Sequence, residues 1–144
     1  MKSRSLLATL CLVLVAGNAA AHHSFAMFDR DHQILLKGKV TEFSWQNPHV
    51  YIHLQATDAG GQSRNWLIEC ANPGILDRAG WKFNVVHKDD QLTLVVSPLR
   101  TGEPGALLQQ IKLADGRVLG NGGPAGPPTI SIEDGKPLPA GANK

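Results

Sequence analysis

The chain has 144 residues, with 14 Lys and Arg against 12 Asp and Glu, 42% hydrophobic residues and two cysteines. That length suits a single domain, and the near-balance of charge gives little phosphate-neutralising surface, which argues against nucleic acid or an anionic membrane as partner.

The first 21 residues read as an export signal. Lys2 and Arg4 form a basic start, residues 6–16 (LLATLCLVLVA) are apolar but too short to span a bilayer, and Ala19-Ala20-Ala21 supplies an A-x-A cleavage site. Leu10 stands where a lipoprotein signal carries a small residue, so Cys11 is read as part of the discarded segment. The mature chain is then residues 22–144, periplasmic or secreted, without a membrane anchor. Losing Lys2 and Arg4 from the 14 basic residues leaves 12 against 12 acidic ones. Cys70 alone survives processing, so no intrachain disulfide can form and a hydrophobic core must hold the fold.

Residues 34–45 (ILLKGKVTEFSW) are rich in β-branched and aromatic residues and predict a first strand, ended by the turn-forming QNPH at 46–49. In HVYIHLQA, Val50, Ile52 and Leu54 fall on one face and His49, Tyr51 and His53 on the other, the period of a half-buried strand. Residues 58–61 (DAGG) turn the chain into a third strand, RNWLIECA, which places Trp66, Ile68 and Cys70 together. Asn72 as N-cap, Pro73 at the first helical position and Gly80 as a stop predict a helix of about two turns. A fourth strand follows in DDQLTLVVSP, with Leu92, Leu94 and Val96 on one face. Residues 106–113, the Asp115-Gly116 turn and residues 117–119 form a fifth strand or final hairpin. Three strands, a short helix and two strands predict an all-β fold with one short helix, a small five-stranded barrel resembling the oligonucleotide/oligosaccharide-binding (OB) fold. An immunoglobulin-like sandwich is the alternative, for which five or six strands are few. The barrel domain is placed at 22–119, and the Gly/Pro-rich residues 120–144 are expected to be a disordered tail, apart from a brief strand at 129–132.

Several stretches carry a resemblance: AHHSFAMFD, LKGKVTEFSWQNPHVYI, WLIECANPGILDRAGW and DDQLTLVVSPLRTGEPGALLQQIKLADGRVL. They resemble the exported bacterial family catalogued as domain of unknown function 6152, above all in the HHSF start and the W-x-N-P-H corner. The resemblance implies export and fold and assigns no activity.

Chemistry therefore has to come from the residues. Cleavage after Ala21 makes His22 the first residue, and its amine and imidazole Nδ1 can chelate Cu(II) in one ring. A third nitrogen completes a T-shaped brace suited to tetragonal copper. His49, set by Pro48 at the strand mouth, is the best third ligand. His23 serves only if the backbone folds sharply. His53 cannot join His49 on one metal, because four strand residues separate their Cα atoms by roughly 13 Å. Cleavage after Ala20 would instead put His23 third in the chain, in the amino-terminal Cu(II)/Ni(II) motif. Copper is thus the candidate cofactor, at His22, His49 and His23.

Blander readings stand beside these. A solvated terminus competes evenly with a dedicated site at His22 and His23, since chain ends are commonly disordered. A histidine in a turn, like His49, more often bonds backbone than metal. His32, His53 and His87 read as surface residues. Cys70 and Met27 evoke a blue-copper set, but no clustered Cys, His and Met run occurs, and Cys70 reads better as a buried thiol. Trp66 reads as core, while Trp45 and Trp81 remain open between core and a stacking surface. Glu69, Asp77 and Arg78 suggest an ion pair. No nucleophile–histidine–acid grouping, phosphate loop, H-E-x-x-H or C-x-x-C is present, which argues against an enzyme. Copper-dependent polysaccharide oxidation ranks last, because about 90 folded residues leave little room for a substrate surface. Two classes remain: a copper-binding exported protein, and a metal-free module for a small ligand or a partner protein.

Overall fold

The computed structural model describes residues 25–57 and 61–139. Its strands are β1 (Ile34–Ser44), β2 (Tyr51–Thr57), β3 (Ser63–Glu69), β4 (Gln91–Pro98), β5 (Gly105–Lys112) and β6 (Val118–Gly120), and its helix, α1 (Pro73–Arg78), lies between β3 and β4. Hydrogen-bonded neighbours run β3-β2-β1-β4-β5, and a parallel pairing of β3 with β5 closes the circuit into a five-stranded barrel. β6 extends the far end of β5 as a short hairpin. This is the OB-like order the sequence predicts, and the described residues form no second sheet of the kind the sandwich alternative requires.

β1 makes closure possible. Its first half pairs with β4 and its second half with β2, and Gly38 takes part in both pairings. A Cβ at Gly38 would lie 2.4 Å from the Gln55 carbonyl oxygen, so only glycine permits so close a strand crossing. A register shift between Val40 and Glu42 adds the bend.

The inward faces follow the alternation. Val50, Ile52 and Leu54 of the second strand region, Trp66, Ile68 and Cys70, and Leu92, Leu94 and Val96 are all buried in one cluster. Asn72 caps α1, its Oδ1 accepting from Ile75 N at 2.9 Å, and Leu76 is the helix residue driven into the core. Trp81 is fully buried and donates from Nε1 to Gly120 O at 2.8 Å, which settles it as core. Trp45 is half-buried and packs on Phe43.

The Gly/Pro-rich segment departs from the expected disorder over residues 121–139. Asn121 is buried and its Oδ1 accepts from Ala71 N at 2.7 Å. The buried Gln109 amide lies 2.9 Å from Ser97 Oγ, and with its oxygen turned to that hydroxyl its nitrogen can donate to the carbonyls of Ala125 and Gly126 at 3.1 and 2.9 Å. Further on, Gln33 bonds both Pro127 O and Thr129 N, and a small hairpin pairs Ile130 with Pro137. The brief strand expected at 129–132 is reduced to that single bridge. The tail has something to cover: Val95 points outward by alternation yet is fully buried, and Gly135 lies against Leu35, its cross-strand neighbour. Composition predicts disorder only when no apolar surface waits for the segment, and here the barrel supplies that surface.

Residues 25–29 also join the fold. Phe28 bridges Leu99, Asp29 N donates to Pro98 O and Arg100 N to Met27 O, so the incoming chain lies along the end of β4. The 58–61 turn falls largely outside the described residues. No helix among the described residues is long and apolar enough to cross a membrane.

Candidate functional site

The cis Asn47–Pro48 bond and the chain reversal behind it deliver His49 to one end of the barrel, just before β2. Backbone bonds between Val50 and both Cys70 and Ala71 lock this corner to the end of β3. The His49 ring is partly buried, with Nδ1 3.0 Å from Cys70 O and 3.4 Å from Glu69 Oε1. A carbonyl oxygen only accepts, so Nδ1 carries the hydrogen and neutral His49 keeps a lone pair on Nε2. Nε2 has no partner among the described residues. An imidazole whose other nitrogen donates to a carbonyl is oriented as metal-binding histidines usually are.

His49 lines a cavity of about 200 Å³. Its other walls come from four places: Cys70 and Ala71 after β3, Ile75 of α1, Leu107 of β5, and Asn121 and Ala125 of the tail. Phe25 closes it from the amino-terminal side. Burial pushes the Cys70 thiol far above its ordinary titration range, so it contributes bulk rather than a thiolate. Tyr51 stands beside His49, ring centroids 6.5 Å apart, and its phenol is raised by burial and then by Glu69.

His22 and His23 lie outside the described residues. Phe25, three residues beyond His22, shares the cavity with His49, and three residues reach at most about 10 Å. Among the described residues, no three His, Cys, Asp or Glu side chains gather as a metal site. Cys70 and Met27 do not converge: Met27 lines a separate hollow with Tyr51 and Leu67, so no blue-copper set forms. His32 and His87 are exposed beside Asp29 and Asp90, as surface residues. The ion pair expected among Glu69, Asp77 and Arg78 does not form among the described residues. Glu69 faces His49, while Asp77 pairs with Lys82 at 2.7 Å across the end of α1.

Sequence reasoning missed Asn121, Gln109 and Phe25. Asn121 reads as one more polar residue at the start of a glycine-rich run. Its role follows only from Ala71 N, a backbone donor 50 residues away that needs a buried acceptor.

Fold and site define a small closed β-barrel of OB-like order, with one end capped by a helix, a tail and the incoming chain over a histidine-lined cavity. A family described as a family of unknown function, DUF6152, matches residues 9–109, and the chain belongs to that family. No curated protein and no solved structure matches the chain.

Proposed function

We propose that this is an exported binding protein that holds Cu(II) between the processed amino terminus and the capped end of its barrel. His22 supplies its α-amine and Nδ1, His49 supplies Nε2, and His23 is the alternative third ligand. The observation that carries this reading is the state of His49: Nδ1 is fixed on Cys70 O, Nε2 is unengaged among the described residues, and Phe25 brings the amino-terminal segment to the same cavity. Export enters through the signal-like first 21 residues, and cleavage itself makes the ligand. Before processing the nitrogen of His22 is an amide without an available lone pair; afterwards it is an amine. Coordination needs a deprotonated amine and imidazoles, so affinity falls on acidification.

The test compares correctly processed protein with a His23→Ala protein carrying one extra methionine before His22. The second substitution is needed because the extension alone places His23 third and creates the competing terminal motif. One-to-one Cu(II) binding that weakens at least tenfold in the extended protein supports the site. Equal affinity in both sinks it.

A second reading, a metal-free module for a small ligand, is favoured by the apolar walls around His49.

A further inference from the structure

We infer that the capped cavity is a binding site for a small uncharged molecule that carries one hydrogen-bond acceptor and one donor on a short apolar body, a primary carboxamide being the simplest case. This deepens the metal-free reading and rests on it, since copper on His49 Nε2 would compete for the same lone pair.

Two polar groups with opposite requirements open on this cavity. Asn121 is only 3% exposed, and its Oδ1 is engaged by Ala71 N, which fixes the amide so that Nδ2 is the free end. Nδ2 donates no hydrogen bond among the described residues. The residue lines the cavity, so the space left to Nδ2 is the cavity itself, where solvent or a ligand must supply its acceptor. The second group is His49 Nε2, an acceptor by the tautomer that Cys70 O imposes. Asn72 also lines the cavity with its Oδ1 taken by Ile75 N, so the cavity offers amide N–H groups and one lone pair. A carboxylate would meet the first and be repelled by the second, and an ammonium the reverse. A neutral group with both functions satisfies the pair.

Beside these polar groups the walls are mostly apolar, drawn from Phe25, Ala71, Ile75, Leu107 and Ala125. Solvent in such a space bonds to two groups and faces hydrocarbon elsewhere. A ligand that reproduces both bonds and covers the walls displaces it favourably. Size sets the limit. An apolar cavity of about 150 Å³ takes benzene, so about 200 Å³ takes a ring or branched chain with one small polar substituent. The wider concavity at Lys37, Lys39 and Thr93 offers no comparable enclosure, being open and polar.

The experiment titrates the full mature chain, kept metal-free with chelator, with benzamide, benzoate and ethylbenzene, followed by calorimetry and amide chemical shifts. The expected result is saturable benzamide binding, at least tenfold tighter than the other two, with shifts at Ala71, Ile75 and Asn121. His49→Phe keeps a ring and removes the acceptor; Asn121→Asp keeps the Oδ1 bond to Ala71 and removes the donor. Each should weaken benzamide at least tenfold, and if Asn121→Asp fails to fold, His49→Phe decides. Ethylbenzene binding as tightly as benzamide overturns the ligand class while leaving a ligand-binding module. No saturable binding by any probe overturns both. Undiminished benzamide binding in the variants overturns the assignment of the two groups. Because metal is absent throughout, none of these results bears on copper.

Discussion

Two concavities of this barrel differ in almost every respect: strands form one, while loops, the helix and the tail enclose most of the other. The larger, about 520 Å³, lies over Gly38 and is edged by Lys37, Lys39, Gln55, Ser63, Gln91 and Thr93. Lys39 there is half-exposed and paired with Asp89 at 3.3 Å, a contact of the exposed kind that contributes little. The smaller is closed by segments from both ends of the domain, and its polar groups are fixed by backbone. Volume is therefore a poor guide to a site. An open groove leaves a ligand solvated and its polar groups satisfied by water, whereas enclosure makes each unengaged donor or acceptor select its partner.

The contrast is sharpest in stability. Trp81→Ala removes a fully buried indole whose N–H ties the loop after α1 to Gly120, at the root of the tail. A loss of about 3–5 kcal/mol in urea unfolding is expected, of the order seen for buried aromatics, while Lys37→Ala at the open groove should stay within about 0.5 kcal/mol. Similar effects for the two would erase the distinction between the regions.

Asn121→Ala leaves Ala71 N buried without an acceptor and should cost about 1–3 kcal/mol. It should also loosen the tail, read as faster amide exchange at Ala71 and as proteolysis beyond Gly120. His49→Ala deletes a partly buried bond to Cys70 O and is expected to cost about 1 kcal/mol. A loss of several kcal/mol would make His49 chiefly a structural residue and remove it from both binding proposals.

The two buried tryptophans refine the picture further. Trp66 Nε1 has no hydrogen-bond partner among the described residues, in contrast to Trp81 Nε1. Trp66→Phe therefore removes an unsatisfied donor along with some packing, and its net effect should fall below about 1 kcal/mol of either sign. A larger loss would mean that the indole N–H is satisfied in solution. The smallest effect concerns Asp29, whose carboxyl is held below the ordinary range chiefly by the hydrogen bond with His32. A depressed carboxyl stabilises the fold above its unfolded value and loses that contribution as pH falls through the lower folded value. A slight decline in melting temperature below the usual aspartate range, reduced in His32→Ala, is the expected readout.

Much of the barrel was legible in the sequence because alternation is a local signal. The faces carrying Ile52, Ile68 and Leu94 could be assigned from neighbours two residues away, and Asn72, Pro73 and Gly80 marked the helix through backbone requirements confined to its own ends. His49 was legible as a candidate, since Pro48 singles out the corner. What it bonds was not, because Cys70 O lies on another strand. The tail was misjudged for a related reason: composition reports what a segment can bury within itself, not what another part of the chain leaves uncovered.

The sequence by itself thus determined the strands, their inward faces, the helix and the family. The tertiary structure alone decided that β3 would meet β5 in parallel, that residues 121–139 would cover the barrel, and that His49, Ala71, Leu107 and Asn121 would enclose one cavity. The physical reason is range. Periodicity and capping act over a few residues, whereas the environment of a polar group in the interior depends on whichever distant segment supplies its partner, as Asn121 does for Ala71 across 50 residues.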